Sequence, residues 1–386
     1  MPKPTYNRTP NSKDPQLLEA LEVLLRRGLP LQLQNTYITS AEVYAVLKYA
    51  AVNQMSLEGA CTELVRSASA NRLREVLMPA LPACPRLQRQ LNTILGWQLP
   101  PSVRKGKYCY DLAIDLVLIP YHGQPATAPH EIVRSAAKSG TTHFHGYATV
   151  AIVHHHRRYV VAFTFVTAGE PMVAIVRWLL DRVRKLGVRA HYVFLDKGFD
   201  AAAVFRTLHR RHLSYVIPLR VGQKHELFHR RGSARTTHTL KYARGGAYTV
   251  HVRLIKRYKR DRRGRRKVWW LGYAVGGRAC RLSYHQVREG YRRRFGIETS
   301  YRQMHQVRAR TSSTSPVLRL LFIGLALIIV NLYVALRADL MTPLRRGTRQ
   351  RRHWMTFRRV ILTLRREIEQ ILGVRSIKYR HSSAIS

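Results

Sequence analysis

The sequence predicts an α/β protein: a mixed sheet, antiparallel at its start and parallel further on, interrupted by a β-rich insertion and preceded by a helical unit. Three observations carry this. Between residues 108 and 220 the apolar pattern alternates between short β-rich runs and helical periods, in the order β-β-β-α-β-α-β. Residues 221–285 break that order with strand-like runs set between glycine turns. Residues 1–100 read as helical, with recognisable helix caps.

In chain order, Thr39 to Glu42 has the capping-box pattern that opens AEVYAVLKYAAV, Ser56 can cap LEGACTELVRS, and a third period starts near Asn71. Three short helices with tight connections fit a helix-turn-helix-like unit as well as a plain helical bundle. The proline-rich stretch from residue 79 to 107 reads as a linker. YCYDLAIDLVLIP (108–120), FHGYATVAIVHH (144–155) and RRYVVAFTFVT (157–167) read as strands, the last two as a hairpin turning at His156 and Arg157. A helix follows over 171–187, from Pro171 to Gly187. HYVFLD (191–196) is a short buried strand, 201–212 a helix and SYVIPL (214–219) another strand. Helical periodicity returns at 284–308 and 317–337, and the Arg-rich C-terminal region carries an amphipathic helix near TFRRVILTLRREIEQIL. The expected units are 1–100 (helical), 105–220 (first part of the core), 221–285 (basic β insertion), 286–340 (second part of the core) and 341–386 (basic helical tail).

A chain of 386 residues with 46% hydrophobic content is long and apolar enough for two or three folded domains. Its 67 Lys and Arg against 21 Asp and Glu leave a net charge of +46, which a compact protein carries only against a polyanion. Nucleic acid is the expected partner, since acidic small molecules need no charge on this scale. Most of the cations are arginine, which suits bidentate phosphate contacts. The 4 cysteines form no CxxC pair, which excludes an evident zinc ribbon and argues against a disulfide scaffold. The cytoplasm is the simplest compartment, and the N-terminus lacks a signal peptide's apolar stretch. Residues 317–336 are long enough to cross a bilayer, but the rest of the chain is not membrane-like. They read as a buried central helix with Asn331 inside it, and no membrane is expected.

With so few acids, those in apolar surroundings stand out. Asp115 sits inside the first strand and Asp196 ends the strand Tyr192 to Leu195; an isolated carboxylate there is costly unless it binds a cation or a proton. For Asp196, before Lys197 and Gly198, a turn role is the alternative. Asp111 competes with Asp115, because i and i+4 share a strand face. Asp115 is preferred as nearer the strand's carboxyl end, where α/β sheets place their sites. In YRRRFGIETSYRQMH, positions Tyr291, Arg294, Glu298, Arg302 and His305 step by three and four along one helix face. A surface ion pair between Glu298 and Arg294 or Arg302 accounts for Glu298 alone, not for two strand acids upstream.

These residues carry a resemblance. The chain resembles the DDE transposases of bacterial and archaeal insertion sequences, which have an RNase H-like core. Asp115 in IDLVLIPYHG looks like the first catalytic acid, Asp196 in FLDKGFD like the second. Tyr291, Arg294 and Glu298 match the Tyr-x2-Arg-x3-Glu-x6-Lys signature of one large group, which also inserts a β-rich domain where 221–285 lies. The resemblance spans about residues 105–340. One departure is that His305 stands at the Lys position, passing the DNA contact of that Lys to His305 or neighbouring Arg308.

The resemblance implies cleavage and strand transfer of DNA at two Mg2+ ions, or Mn2+, held by Asp115, Asp196 and Glu298. Phosphodiester chemistry gives a reason: an attacking oxygen must be deprotonated and a leaving oxygen stabilised, and hard oxygen ligands select such ions over zinc. The implied partners are the element's terminal inverted repeats and target DNA, bound by a homodimer. Tyr291, Arg294, Arg302 and His305 would contact DNA, as would a basic prong at 253–267 carrying Arg257, Lys259, Arg260, Arg262 and Arg263. Some such transposases stack a flipped base on a Trp of the insertion. Trp270 is expected in that role, with Trp269 packed inward. Clustered histidines at 143, 145 and 154–156 are not read as zinc ligands, because a strand sends neighbours to opposite faces. A nuclease using the same core without strand transfer, and a non-catalytic basic nucleic-acid-binding protein, are the competing readings.

Overall fold

The structure is a computed structural model that describes residues 17–34, 37–123, 131–153, 158–241, 246–260, 263–340 and 356–375. Six helices come first: α1 (Leu17–Gly28), α2 (Ser40–Val52), α3 (Leu57–Glu63), α4 (Ala70–Ala80), α5 (Cys84–Trp97) and α6 (Pro101–Arg104). The core follows as β1 (Cys109–Pro120), β2 (Val133–Lys138), β3 (Thr141–Ile152), β4 (Val160–Val166), α7 (Met172–Lys185), β5 (Arg189–Leu195), α8 (Ala202–Arg210) and β6 (Tyr215–Pro218). Next come β7 (Ala234–Lys241), β8 (Ala247–Arg260) and β9 (Arg266–Gly276), then α9 (Tyr284–Gln306), α10 (Pro316–Leu340) and α11 (Phe357–Leu372).

The strands form one 9-stranded sheet in the order β2-β3-β1-β5-β6-β9-β8-β7, with β4 also paired to β3. β1 and β3 pair antiparallel, as do β3 and β4, whereas β5 and β6 run parallel to β1. This is the RNase H-like arrangement with an antiparallel start and a parallel continuation. The insertion is not set apart from that sheet: β9 pairs antiparallel with β6, so β7 to β9 prolong it. Alternation places helices on both faces. Tyr215 meets Phe205 of α8 on one side, and Phe194 meets Gly290 of α9 on the other.

The stretch expected as a linker is instead the core helix α5. Pro85 sits in its first turn, where a missing N–H costs nothing, and Leu87, Leu91, Ile94 and Leu95 bury one face. Its amides also close the free edge of β4. Asn92 donates to the Phe163 carbonyl at 2.8 Å and accepts from the Phe163 N–H at 2.9 Å, and Gln88 accepts from the Phe165 N–H at 2.9 Å. Asn331 of α10 makes the same paired contact with Val160, at 2.8 Å each way. That pairing explains an asparagine inside an apolar helix: it satisfies an edge strand with no further strand beside it. Of the apolar window of α10, 89% is buried within the fold.

The N-terminal helices are joined to the core. α2 is buried from Val43 to Val52 and cannot enter a DNA groove, so any helix-turn-helix role falls to α3 and α4. Thr39 caps α2 through the Glu42 N–H, but Glu42 turns away to accept from Ala68, so the reciprocal half of the expected box is not made. α11, in the C-terminal region, docks on this unit: Glu367 accepts from Leu18 at 2.7 Å and Glu369 from the Tyr49 hydroxyl at 3.2 Å.

Candidate active site

Register puts two acids side by side. In the parallel pair β1 and β5, Ile114 lies opposite Leu195, so the next residues, Asp115 and Asp196, emerge together at adjoining strand positions. Asp196 precedes the turn 197–199, but its side chain makes no capping bond there, so the turn role is not the one it plays. α9 brings the third acid. A capping box between Ser283 and Gln286 starts this helix, and Gly290 lets it lie close to β5: a Cβ there would stand 3.2 Å from the Phe194 ring. One and two turns further along, Arg294 and Glu298 reach the strand ends.

The three acids meet on one guanidinium. Arg294 Nη1 donates to Asp115 Oδ2 at 2.7 Å, while Nη2 lies 3.6 Å from Asp196 Oδ1 and 3.5 Å from Glu298 Oε1. The Tyr291 hydroxyl donates to Asp196 Oδ1 at 3.3 Å, and the Leu116 N–H donates to Asp115 Oδ1 at 2.9 Å. Asp111 is engaged elsewhere, with His191 at 3.0 Å and Arg293 at 3.1 Å. Among the described residues no three His, Cys, Asp or Glu side chains stand in metal-ligating geometry. The arginine lies between the acids instead.

Burial makes this cluster expensive. Asp115 and Arg294 are 8% and 5% exposed. Burial pushes the Asp115 carboxyl up to about 6, against the pull of Arg294 and with the push of Asp196. Arg294, surrounded by acids, is held above its ordinary value although burial alone would lower it. The stability consequence has a definite sign. A raised folded pKa means that the folded state holds the proton more tightly, so this contribution is present below pH 3.8 and is lost as pH rises through about 6. The effect of Asp115→Asn on the DNA-free protein is therefore expected to be more favourable at pH 7 than at pH 4, read as paired thermal midpoints.

The remaining expected site residues lie further out. Arg302 is exposed one turn beyond Glu298, with a long contact to Thr299 at 3.5 Å. His305, at the end of α9, is held below its ordinary pKa by burial and by Arg308 and Lys138. Arg257, Lys259 and Arg260 are exposed on β8, and Arg263 is exposed beyond it; Arg262 lies outside the described residues, as do His154 to His156. The Trp assignment is reversed. Trp270 is 7% exposed and stacks on Phe228, whereas Trp269 is 36% exposed beneath Lys259. Tyr273, which meets Tyr291 of α9, fixes the parity: Trp269 shares its face, and Trp270 has the opposite one. Cross-strand pairing puts Arg257 opposite Trp269 on that same face and Lys259 opposite Lys267; Arg260 points the other way.

Sequence reasoning missed the placement of Arg294 at the centre of the acids. Its i,i+4 spacing to Glu298 was visible, but the link to β1 was not. It also missed a group of cations near the end of β1, where Arg308, Arg310 and Arg319 gather around His145.

Comparison with known proteins identifies the family. The family described as Transposase DDE domain matches residues 110–332, more than half of the chain. No curated protein matches in sequence. Among solved structures, a cryo-EM structure of a piggyBac transposase synaptic complex with hairpin DNA is similar in fold, with a TM-score of 0.55 at 12% identity, covering 94% of this chain and 79% of that one. With the family matched over more than half of its length, the chain belongs to the DDE transposases.

Proposed function

We propose that the protein cuts DNA at the ends of a mobile element and joins the freed ends to new DNA, with Asp115, Asp196 and Glu298 holding two Mg2+ ions, or Mn2+. The observation that carries this reading is the meeting of three acids on the Arg294 guanidinium at the ends of β1 and β5. The residues fit the ion class. Three carboxylates offer only hard oxygen donors, and the single guanidinium among them leaves the group with net negative charge. Bound there, the ions would polarise the scissile phosphate and ease deprotonation of the attacking oxygen.

The chain's own residues do the positioning. Strand register holds Asp115 beside Asp196, the Tyr291 hydroxyl orients Asp196, and α9 sets Glu298 above both. Once the carboxylates are neutralised, Arg294 is released to a DNA phosphate, for which its planar fork is suited. Water attacks first and frees a 3′-hydroxyl; that hydroxyl then attacks target DNA. A homodimer would hold the two element ends.

Trp269 takes the stacking role expected of Trp270, because it is the tryptophan of this strand exposed on the face shared with Tyr273. The solved piggyBac complex contains hairpin DNA, which favours a hairpin step here. The test is incubation with duplexes of the sequence flanking the coding region and a supercoiled target plasmid in Mg2+. A nick at the element end, a hairpin and a 3′ end joined to the plasmid are expected; nicking without joining would leave only a nuclease. Trp269→Ala is expected to nick normally but to form hairpins about tenfold more slowly, from lost base stacking. Trp270→Ala should instead lower stability by about 3–5 kcal/mol through its core cavity.

A further inference from the structure

Beside the carboxyl end of β1 lies a cavity of about 180 Å³ lined by cations and by no acid. Its walls include Ile119, His145 and Tyr147 of the sheet, Arg308 and Arg310 after α9, and Arg319 of α10. His305, the position singled out by the signature, is not among them. Glu131 belongs to a second, smaller cavity that shares His145 and Tyr147.

Two of the polar groups here lack hydrogen-bond partners among the described residues. His145 is 5% exposed, and its Nε2 makes no hydrogen bond. Burial beside Arg319 pushes the imidazole down to about 4, so it is neutral at pH 7 and one ring nitrogen can donate. Arg308 is held below its ordinary value by burial and by Arg319 and Arg310, and its guanidinium has no hydrogen-bond partner among the described residues. Arg319 donates through Nε to the Ser313 carbonyl and lies 5.1 Å from the Tyr121 ring. Two partly desolvated guanidiniums, Arg308 and Arg319, and an unpaired buried ring nitrogen around one space are costly alone, and an anion seated there, within reach of the exposed Arg310, satisfies them together.

The cavity is also in line with the acids. Asp115 pairs with Thr149 and Ile119 with His145, so the two places are four residues apart on the same face of β1. That is about 13 Å along the strand, a distance that one DNA strand spans within a few nucleotides.

We propose that Arg308, Arg310, Arg319 and His145 seat one backbone phosphate of the bound DNA strand, within a few nucleotides of the phosphate that is cut. This rests on the DNA-cleaving reading and adds a substrate contact to it.

The test uses the full chain and element-end duplexes carrying a neutral methylphosphonate at one position at a time, with affinity measured at fixed salt for wild type and Arg308→Gln. One or two adjacent substitutions within a few nucleotides of the cut are expected to weaken wild-type binding about tenfold. Arg308→Gln should lose a similar factor on unmodified DNA and be indifferent to those same substitutions, and Arg308→Lys should recover part of it. Equal losses in both proteins at every position would overturn the seat while leaving the cleavage reading intact. Failure of wild type to bind any such duplex would overturn both. Inorganic phosphate provides the other arm: if it raises the thermal midpoint of wild type but not of Arg308→Gln, and the methylphosphonate effects remain uncoupled, the site takes a free anion and the backbone seat is wrong. Because Arg308 has no hydrogen-bond partner among the described residues, Arg308→Gln should melt no lower than wild type without DNA; a clear drop would make it a structural residue and overturn the proposal.

Discussion

Arg294→Ala is expected to destabilise the DNA-free protein by about 3–5 kcal/mol at pH 7, and Mn2+ is expected to return a substantial part of that loss. Removing one partner from a buried charge cluster leaves the others uncompensated, and the cost of that is several times the worth of a surface pair. Here the partner removed serves three acids at once, one of them 8% exposed. A divalent cation that binds only the folded state stabilises it by mass action. In wild type it must displace the guanidinium first; in the variant it need not. Thermal midpoints in EDTA and in Mn2+ should therefore differ far more for Arg294→Ala than for wild type. An identical response in both proteins would mean that the acids do not form an ion site.

Asn331→Leu is expected to cost about 2–6 kcal/mol, because it leaves the Val160 N–H and carbonyl buried without partners, at about 1–3 kcal/mol each. The substitution makes α10 more apolar, so hydropathy alone ranks it as favourable; a bilayer-spanning helix would tolerate it. The edge of β4 would not, since Asn331 and Val160 are joined at 2.8 Å in both directions. Urea denaturation reads the difference directly: a lowered midpoint with an unchanged slope is expected.

The elements legible in the sequence were those whose own residues announce them. β1, β3, β4, β5 and β6 are dense apolar runs, and α7, α9 and α10 carry clear periods or caps. The expected order of elements along the chain, antiparallel at its start and parallel further on, follows from that pattern. What was not legible depends on partners distant in sequence. α5 was hidden by its flanking prolines, and its amides make sense only once the β4 edge is known. β2 and β7 are exposed strands with few apolar residues, recognisable by their hydrogen bonding to β3 and β8. The parity of Trp269 and Trp270 is set by Tyr273 packing on Tyr291, a contact across the sheet that local alternation cannot assign. At the candidate site, the choice of Asp115 over Asp111 rested on position along the strand. The fold adds a reason that sequence spacing does not contain: Arg293 takes Asp111 while the next residue, Arg294, takes Asp115.

The most direct measurement is cleavage of the element-end duplex in Mg2+ by Asp115→Asn, Asp196→Asn, Glu298→Gln and Asp111→Asn, beside the affinity of each for the same duplex. The first three are expected to lose about a thousandfold or more in cleavage rate, several kcal/mol of transition-state stabilisation, while binding DNA about as tightly as wild type. Asp111→Asn should keep cutting. A cleaving Asp115→Asn beside a silent Asp111→Asn, or undiminished cleavage by any of the first three, would contradict the assignment of the reaction to the acids gathered on Arg294.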